Sequence, residues 1–117
     1  MDKEYDSDPS NYSYIWFAIH VFAVSVHLIK EKRCFKKFMV TISDKLPCKK
    51  CRRHLKQFME EIPIENYYRR KNGCFRWSWE LHNKVNEYLG KPIVKYKDAL
   101  EYYDRIDLHE CQAPECL

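Results

Sequence analysis

Glycine is nearly absent from this chain, with two in 117 residues. Phosphate-binding loops and dinucleotide fingerprints need clustered glycines so that the backbone can approach a phosphate, and neither pattern is present. The chain also lacks an apolar run long enough for a bilayer. Its most apolar stretch, IWFAIHVFAVSVHLI from Ile15 to Ile29, is 15 residues long and contains His20, Ser25 and His27, whereas a spanning helix takes about 20 apolar residues. It does not read as a secretory signal, because MDKEYDSDPS before it is acidic and no small-x-small site follows. The expectation is a soluble chain with neither a membrane segment nor a Sec-type signal, in which disulfide chemistry serves catalysis rather than architecture. A strong charge excess is missing as well. A net charge of +4 falls short of the clustered surplus typical of nucleic-acid binders.

One domain with one modest core fits this length. With 45% hydrophobic and 15% aromatic residues and few turn formers, the chain reads as a helical globule. Asp8-Pro9 is a helix-start signal, and Ile15, Ala18, Val21, Phe22, Ser25, Leu28 and Ile29 keep helical spacing, so a first helix is predicted from about Pro9 to Glu31. A second follows near Cys34 to Lys45, and a third runs from Pro47 to about Ile62 with Cys48 in its first turn. Pro63 and RRKNG mark a loop. A fourth helix, FRWSWELHNKVNEYL, ends at a capping Gly90 before Pro92, and KDALEYYDRI forms a short fifth. The fold class is therefore all-α, a four-helix up-down bundle with a short fifth helix. Residues 1–107 make the domain and 108–117 a tail.

Chemistry concentrates in PCKKCRRH, residues 47–54. A cysteine at a helix N-terminus feels the positive end of the macrodipole, and Lys49, Lys50, Arg52 and Arg53 add charge, so a thiolate is expected there. The C-x-x-C spacing of Cys48 and Cys51 allows a dithiol to cycle with a disulfide. Zinc is the competing reading. Cys48, Cys51 and His54 supply three ligands, and Cys74, His109, Cys111 and Cys116 are available for the fourth. With the basic runs EKRCFKK and KKCRRH, that reading describes a zinc-stabilised nucleic-acid-binding module. Haem attachment is excluded because Arg52, not histidine, follows Cys51. The bland reading of His54 is an exposed histidine without a role. Charge is segregated: residues 30–56 hold eleven Lys or Arg against Glu31 and Asp44, and residues 98–117 hold six acids against Arg105. This reads either as two solvated faces or as an acidic tail that docks on the basic dithiol region.

Two helices carry a second constellation. Trp16 and His20 are four apart, as are His82 and Asn86, and as are Trp79 and Asn83. Each pair alone is compatible with core packing. Together they suit a pocket with aromatic faces and amide or imidazole donors, fit for a flat cofactor with polar edges.

WFAIH, LPCKKC and WSWELHNKVNEYLGKP in this order resemble the Erv/ALR family of FAD-linked sulfhydryl oxidases, especially its small viral members, over about Trp16 to Tyr103. The resemblance implies FAD held within the bundle without a glycine-rich loop. It implies an FAD site lined by Trp16, His20, His82, Asn83, Asn86 and Lys91, with Trp77 and Tyr103 as further candidates. No metal is implied. It also implies a flavin-proximal disulfide at Cys48 and Cys51, with Cys48 the accessible sulfur, and a shuttle disulfide at Cys111 and Cys116. Thiols of partner proteins, or of a thioredoxin-like carrier, would give their electrons through these centres to dioxygen, forming hydrogen peroxide. A homodimer, and residence in host cytoplasm or virion for a viral enzyme, follow from the same kinship. Trp79 and Tyr96 stand where many members carry a structural disulfide, so an aromatic contact is expected there. The arginine usual just before the first tryptophan is missing, and Cys34 and Cys74 have no counterpart. They are left to pair, to bridge subunits, or to stay buried and reduced.

Overall fold

The computed structural model describes residues 12–105. Among these residues there is no strand. Five helices follow one another: α1 Ser13–Ser25, α2 Ile29–Lys45, α3 Lys49–Glu61, α4 Gly73–Leu89 and α5 Tyr96–Asp104, with a 3-10 turn at Ile64–Tyr67 between α3 and α4. α1 packs chiefly on α4, α3 packs on α2 and α4, and α5 lies against α1 and α4. The expected bundle of four helices with a short fifth is present. Position 106 onward, including Cys111 and Cys116, lies outside the described residues, as does the predicted helix start at Pro9.

The long first helix is in fact two helices. α1 stops at Ser25, whose hydroxyl turns back to the Phe22 carbonyl, and Val26 is extended. α2 then starts at Ile29, ahead of Cys34, because the Glu31 carboxylate accepts hydrogen bonds from the backbone N–H groups of His27 and Leu28. That is the glutamate half of a capping box, and it satisfies amides that a continuous helix would have satisfied itself. Both glycines have geometric work. A Cβ on Gly73 would lie 1.7 Å from the Tyr67 carbonyl oxygen, and Gly90 caps α4 at φ 76°, a left-handed conformation that L side chains resist.

The core is built from Ile19 of α1, Phe35 and Met39 of α2, and Phe75, Trp77 and Leu81 of α4, none more than 1% exposed. Each such side chain contributes about 1.5–3 kcal/mol on burial. The Trp77 indole N–H donates to the Ile62 carbonyl at 2.6 Å, and its ring meets Phe35 edge-on, so the tryptophan ties α4 to the end of α3. On the far side Trp79 meets Tyr96 edge-on at 5.2 Å between centroids, with Arg76 over both rings. The aromatic contact expected between α4 and the segment after it is therefore formed.

Candidate functional site

α1, α3 and α4 enclose a cavity of about 320 Å3, closed on one side by α5. Cys51 and His54 of α3, Trp16 of α1, His82 and Asn86 of α4, and Lys91 and Tyr103 beyond it stand on its wall. Helical spacing explains α3's share: Cys51, His54, Leu55 and Phe58 lie at i, i+3, i+4 and i+7, one face of a helix. The lining is mainly apolar and aromatic, with Lys91 exposed at the rim.

A chain of hydrogen bonds backs this wall. The Ser78 hydroxyl donates to the Phe75 carbonyl at 2.7 Å, so its oxygen accepts from Nδ1 of His20 at 2.9 Å. His20 Nε2 is then the acceptor for Nδ1–H of His82, also at 2.9 Å. With one proton per neutral ring, this order leaves Nε2 of His82 as an acceptor. Both rings are neutral: burial pushes His20 down to about 3, helped by the adjacent His82, and burial followed by the Lys91 charge pushes His82 down to about 4. The His82 ring lies parallel to Trp16, centroids 3.9 Å apart. His20 thus stands behind the lining and positions His82 rather than facing the cavity itself.

The dithiol sits at the start of α3. Cys48 is the N-cap and not a first-turn residue, and its sulfur accepts from the Cys51 backbone N–H at 3.2 Å. Arg52 fixes the turn ahead of it by donating to the carbonyls of Leu46 and Pro47. Two sequence expectations are corrected here. Cys51 does not gain a favoured thiolate: burial, ahead of the hydrogen bond to Cys48, pushes its thiol up to about 11, and Lys50 opposes this only weakly. Desolvation outweighs the helix dipole because the sulfur faces an apolar wall. Cys48, expected as the accessible sulfur, is 4% exposed, whereas Cys51 is half-buried and open to the cavity.

Other expected site residues go elsewhere. Asn83 does not line the cavity; its amide donates to the Val94 carbonyl at 2.9 Å and its oxygen accepts from the Val94 N–H at 3.1 Å, pinning the return segment before α5. Trp77 borders a second cavity, between α2 and α3, away from the dithiol. Cys34 is exposed, Cys74 is buried, and both are free thiols, so they do not pair with each other. The zinc reading needs Cys48, Cys51 and His54 to converge. Instead Cys48 caps the helix while the other two open to the cavity, and among the described residues no three His, Cys, Asp or Glu side chains gather for a metal. Conversely, His54 is not an idle surface histidine. It is half-buried and its ring lies 4.3 Å from that of Tyr88 across the cavity. Its position three residues after Cys51 was the available signal. Tyr12, beside the dithiol, was also missed.

A helical bundle with a C-x-x-C at a helix start, one sulfur of which opens on an aromatic cavity, is the frame of a thiol-disulfide redox protein. The chain belongs to the Erv1 / Alr family, which it matches over residues 13–105. Among its relatives, the FAD-linked sulfhydryl oxidase ERV2 of Saccharomyces cerevisiae is 32% identical over 64% of this chain and 37% of its own length. The FAD-linked sulfhydryl oxidase ERV1 of Oryza sativa subsp. japonica is 26% identical over 81% of the chain and 50% of its own length. The FAD-linked sulfhydryl oxidase of African swine fever virus is 25% identical over 77% of the chain and 76% of its own length. The chain thus spans half or less of the two cellular relatives and about three quarters of the viral one.

Proposed function

We propose that this chain is an FAD-dependent thiol oxidase that makes disulfide bonds in protein substrates. The observation that carries the reading is the opening of Cys51, one half of a C-x-x-C, onto the aromatic cavity. The residues fit a flavin. Trp16 and His82 offer flat faces, Asn86 and the unprotonated Nε2 of His82 offer polar groups, and Lys91 offers a cation at the rim for phosphate. Family membership adds to this, since the relatives named above are FAD-linked. Bound FAD would supply a two-electron acceptor that returns its electrons to dioxygen as hydrogen peroxide.

The chain's own part is thiol exchange. A substrate dithiol reduces the disulfide of Cys111 and Cys116, and one tail thiolate then attacks the Cys48 sulfur. The Cys48–Cys51 bond breaks and its electron pair leaves with Cys51, which becomes a thiolate at the cavity wall. Because Cys48 is buried, the attacking sulfur must enter the shell around the N-cap. Lys49, Lys50 and Arg53 are exposed beside it, whereas Lys36 and Lys56 are engaged by Glu65 and Asp44. These three exposed cations suit an acidic approach segment, and residues 107–117 carry Asp107, Glu110 and Glu115 around the tail cysteines. A homodimer, a thioredoxin-like carrier as an intermediate substrate, and action in a virion or host cytoplasm belong to the same reading.

The test is oxygen consumption with dithiothreitol by the purified full chain. Turnover with peroxide formation supports the reading, and a chain that neither carries nor takes up flavin overturns it.

A further inference from the structure

Tyr12 precedes α1 and is 9% exposed, packed in the same buried cluster as Cys48, with Cys51 against it. It stands on the cavity wall beside Cys51. Its hydroxyl is the side-chain hydrogen-bond donor to the Cys51 sulfur, and the Cys48 backbone lies close to its oxygen. Burial, together with the bond to Cys51, holds the phenol well above its ordinary pKa, so it keeps its proton and remains a donor.

We propose that Tyr12 is a catalytic residue: its O–H steadies the Cys51 thiolate released when the Cys48–Cys51 bond is broken. An incoming thiolate bonds to Cys48, the bond to Cys51 breaks, and the electron pair departs with Cys51. Tyr12 keeps its proton throughout and supplies only a hydrogen bond, which is strongest when the acceptor carries charge. The need for it follows from the apolar wall. Burial opposes charge on Cys51, and among the described residues no cation is in bonding contact with the leaving sulfur. Other titratable groups face it from each packed element: Cys48 at the N-cap with Lys50 and His54 on α3, His82 and Lys91 from α4 and the segment after its cap, and Tyr103 on α5. Of these, Cys48 hydrogen-bonds to the sulfur, but as the partner it has just separated from.

The inference rests on Cys48 and Cys51 being the redox pair, and its test is read without turnover. The full chain with Cys48→Ser, reduced and anaerobic, is alkylated with iodoacetamide across a pH series, and modification at residue 51 is followed by peptide mass spectrometry. Tyr12→Phe in that background is expected to move the pH midpoint of Cys51 alkylation upward and to slow alkylation below the midpoint about three- to tenfold. With Cys48 intact, the same substitution is expected to shift the dithiol-disulfide equilibrium in a glutathione buffer toward the disulfide by a similar factor, because the reduced state loses its donor. Tyr12→Leu, which also removes the ring, is expected to lower the melting midpoint further without slowing Cys51 beyond Tyr12→Phe. Cys51 alkylation in folded Tyr12→Phe that is unchanged or faster, with an unmoved equilibrium, overturns the assignment. Oxidase activity and this shift are separable, since either is measurable when the other is lost.

Discussion

Helix α3 divides two cavities of nearly equal size, about 320 and 330 Å3. The first turns Cys51, His54, Leu55 and Phe58 toward rings from α1 and α4. The second turns Lys56, Met59 and Glu60 toward Lys36, Met39 and Asp44 of α2, and its rim is stapled by the Lys36–Glu65 and Lys56–Asp44 ion pairs. Volume therefore does not mark the site. What sets the first cavity apart is a thiol in the wall, a His82 ring kept neutral by burial with the equally neutral His20 behind it, and parallel aromatic faces. The second has charges that neutralise each other in water, where such pairs contribute little.

Several substitutions sharpen or break this contrast. The largest expected effect is at the thiol: Cys51→Ser should lower dithiothreitol-dependent oxygen consumption at least about a hundredfold, while Met59→Leu across the helix should leave it within about twofold. Equal losses from both would erase the distinction. Next comes cofactor retention. Trp16→Ala removes the ring lying on His82 and should weaken flavin binding about tenfold or more, read by fluorescence quenching on adding FAD to the stripped chain. Asp44→Asn at the second cavity should leave that affinity unchanged.

Acid response separates the two regions further. His20 and His82 bind protons in the unfolded chain at about pH 6.5 but in the folded chain only near 3 and 4. Between those limits the unfolded state holds more protons, so stability present above pH 6.5 is lost as pH falls toward 4, on the order of a few kcal/mol. Urea midpoints from pH 7 to pH 4.5 should fall accordingly, and His82→Gln should flatten the slope. The carboxylates of Asp44 and Glu65 are held below their ordinary values by their lysine partners, so their contribution is lost only at lower pH. The smallest effect is at the dithiol's entrance. Lys49→Glu with Arg53→Glu should slow oxidation of a dithiol peptide flanked by acids by about tenfold at low salt, with the difference shrinking as salt rises. Neutral dithiothreitol should be indifferent.

Much of this was legible in the residues. Gly90 and Pro92 announced the end of α4, and the four-residue spacings of Trp16 with His20 and of His82 with Asn86 placed them on shared faces that do meet. The break between α1 and α2 was not legible, because Ser25 to Ile29 keeps helical spacing and the interruption depends on Glu31 reaching back two amides. Asn83 sits next to His82 on the helix, and only the path of residues 90–95 decides that it binds backbone rather than lining the cavity. Trp77 carries the same residue type as Trp16, yet its helix face turns to Phe35. Tyr12 and Ser78 had no signal at all, since their roles arise from tertiary approach: a pre-helical segment laid against the α3 N-cap, and a hydroxyl that sets the proton order in two histidines. The thiol's pKa was misjudged for a related reason, since charge near Cys51 is written in the sequence and burial is not.

The most direct measurement is an anaerobic titration of the full chain with a dithiol while the visible flavin band is recorded. Wild type should bleach in proportion to dithiol added, and Cys51→Ser, though still coloured, should not. Equal bleaching in both, or a colourless wild type that takes up no FAD, would contradict the assignment of the α1–α3–α4 cavity as the place where protein thiols hand over their electrons.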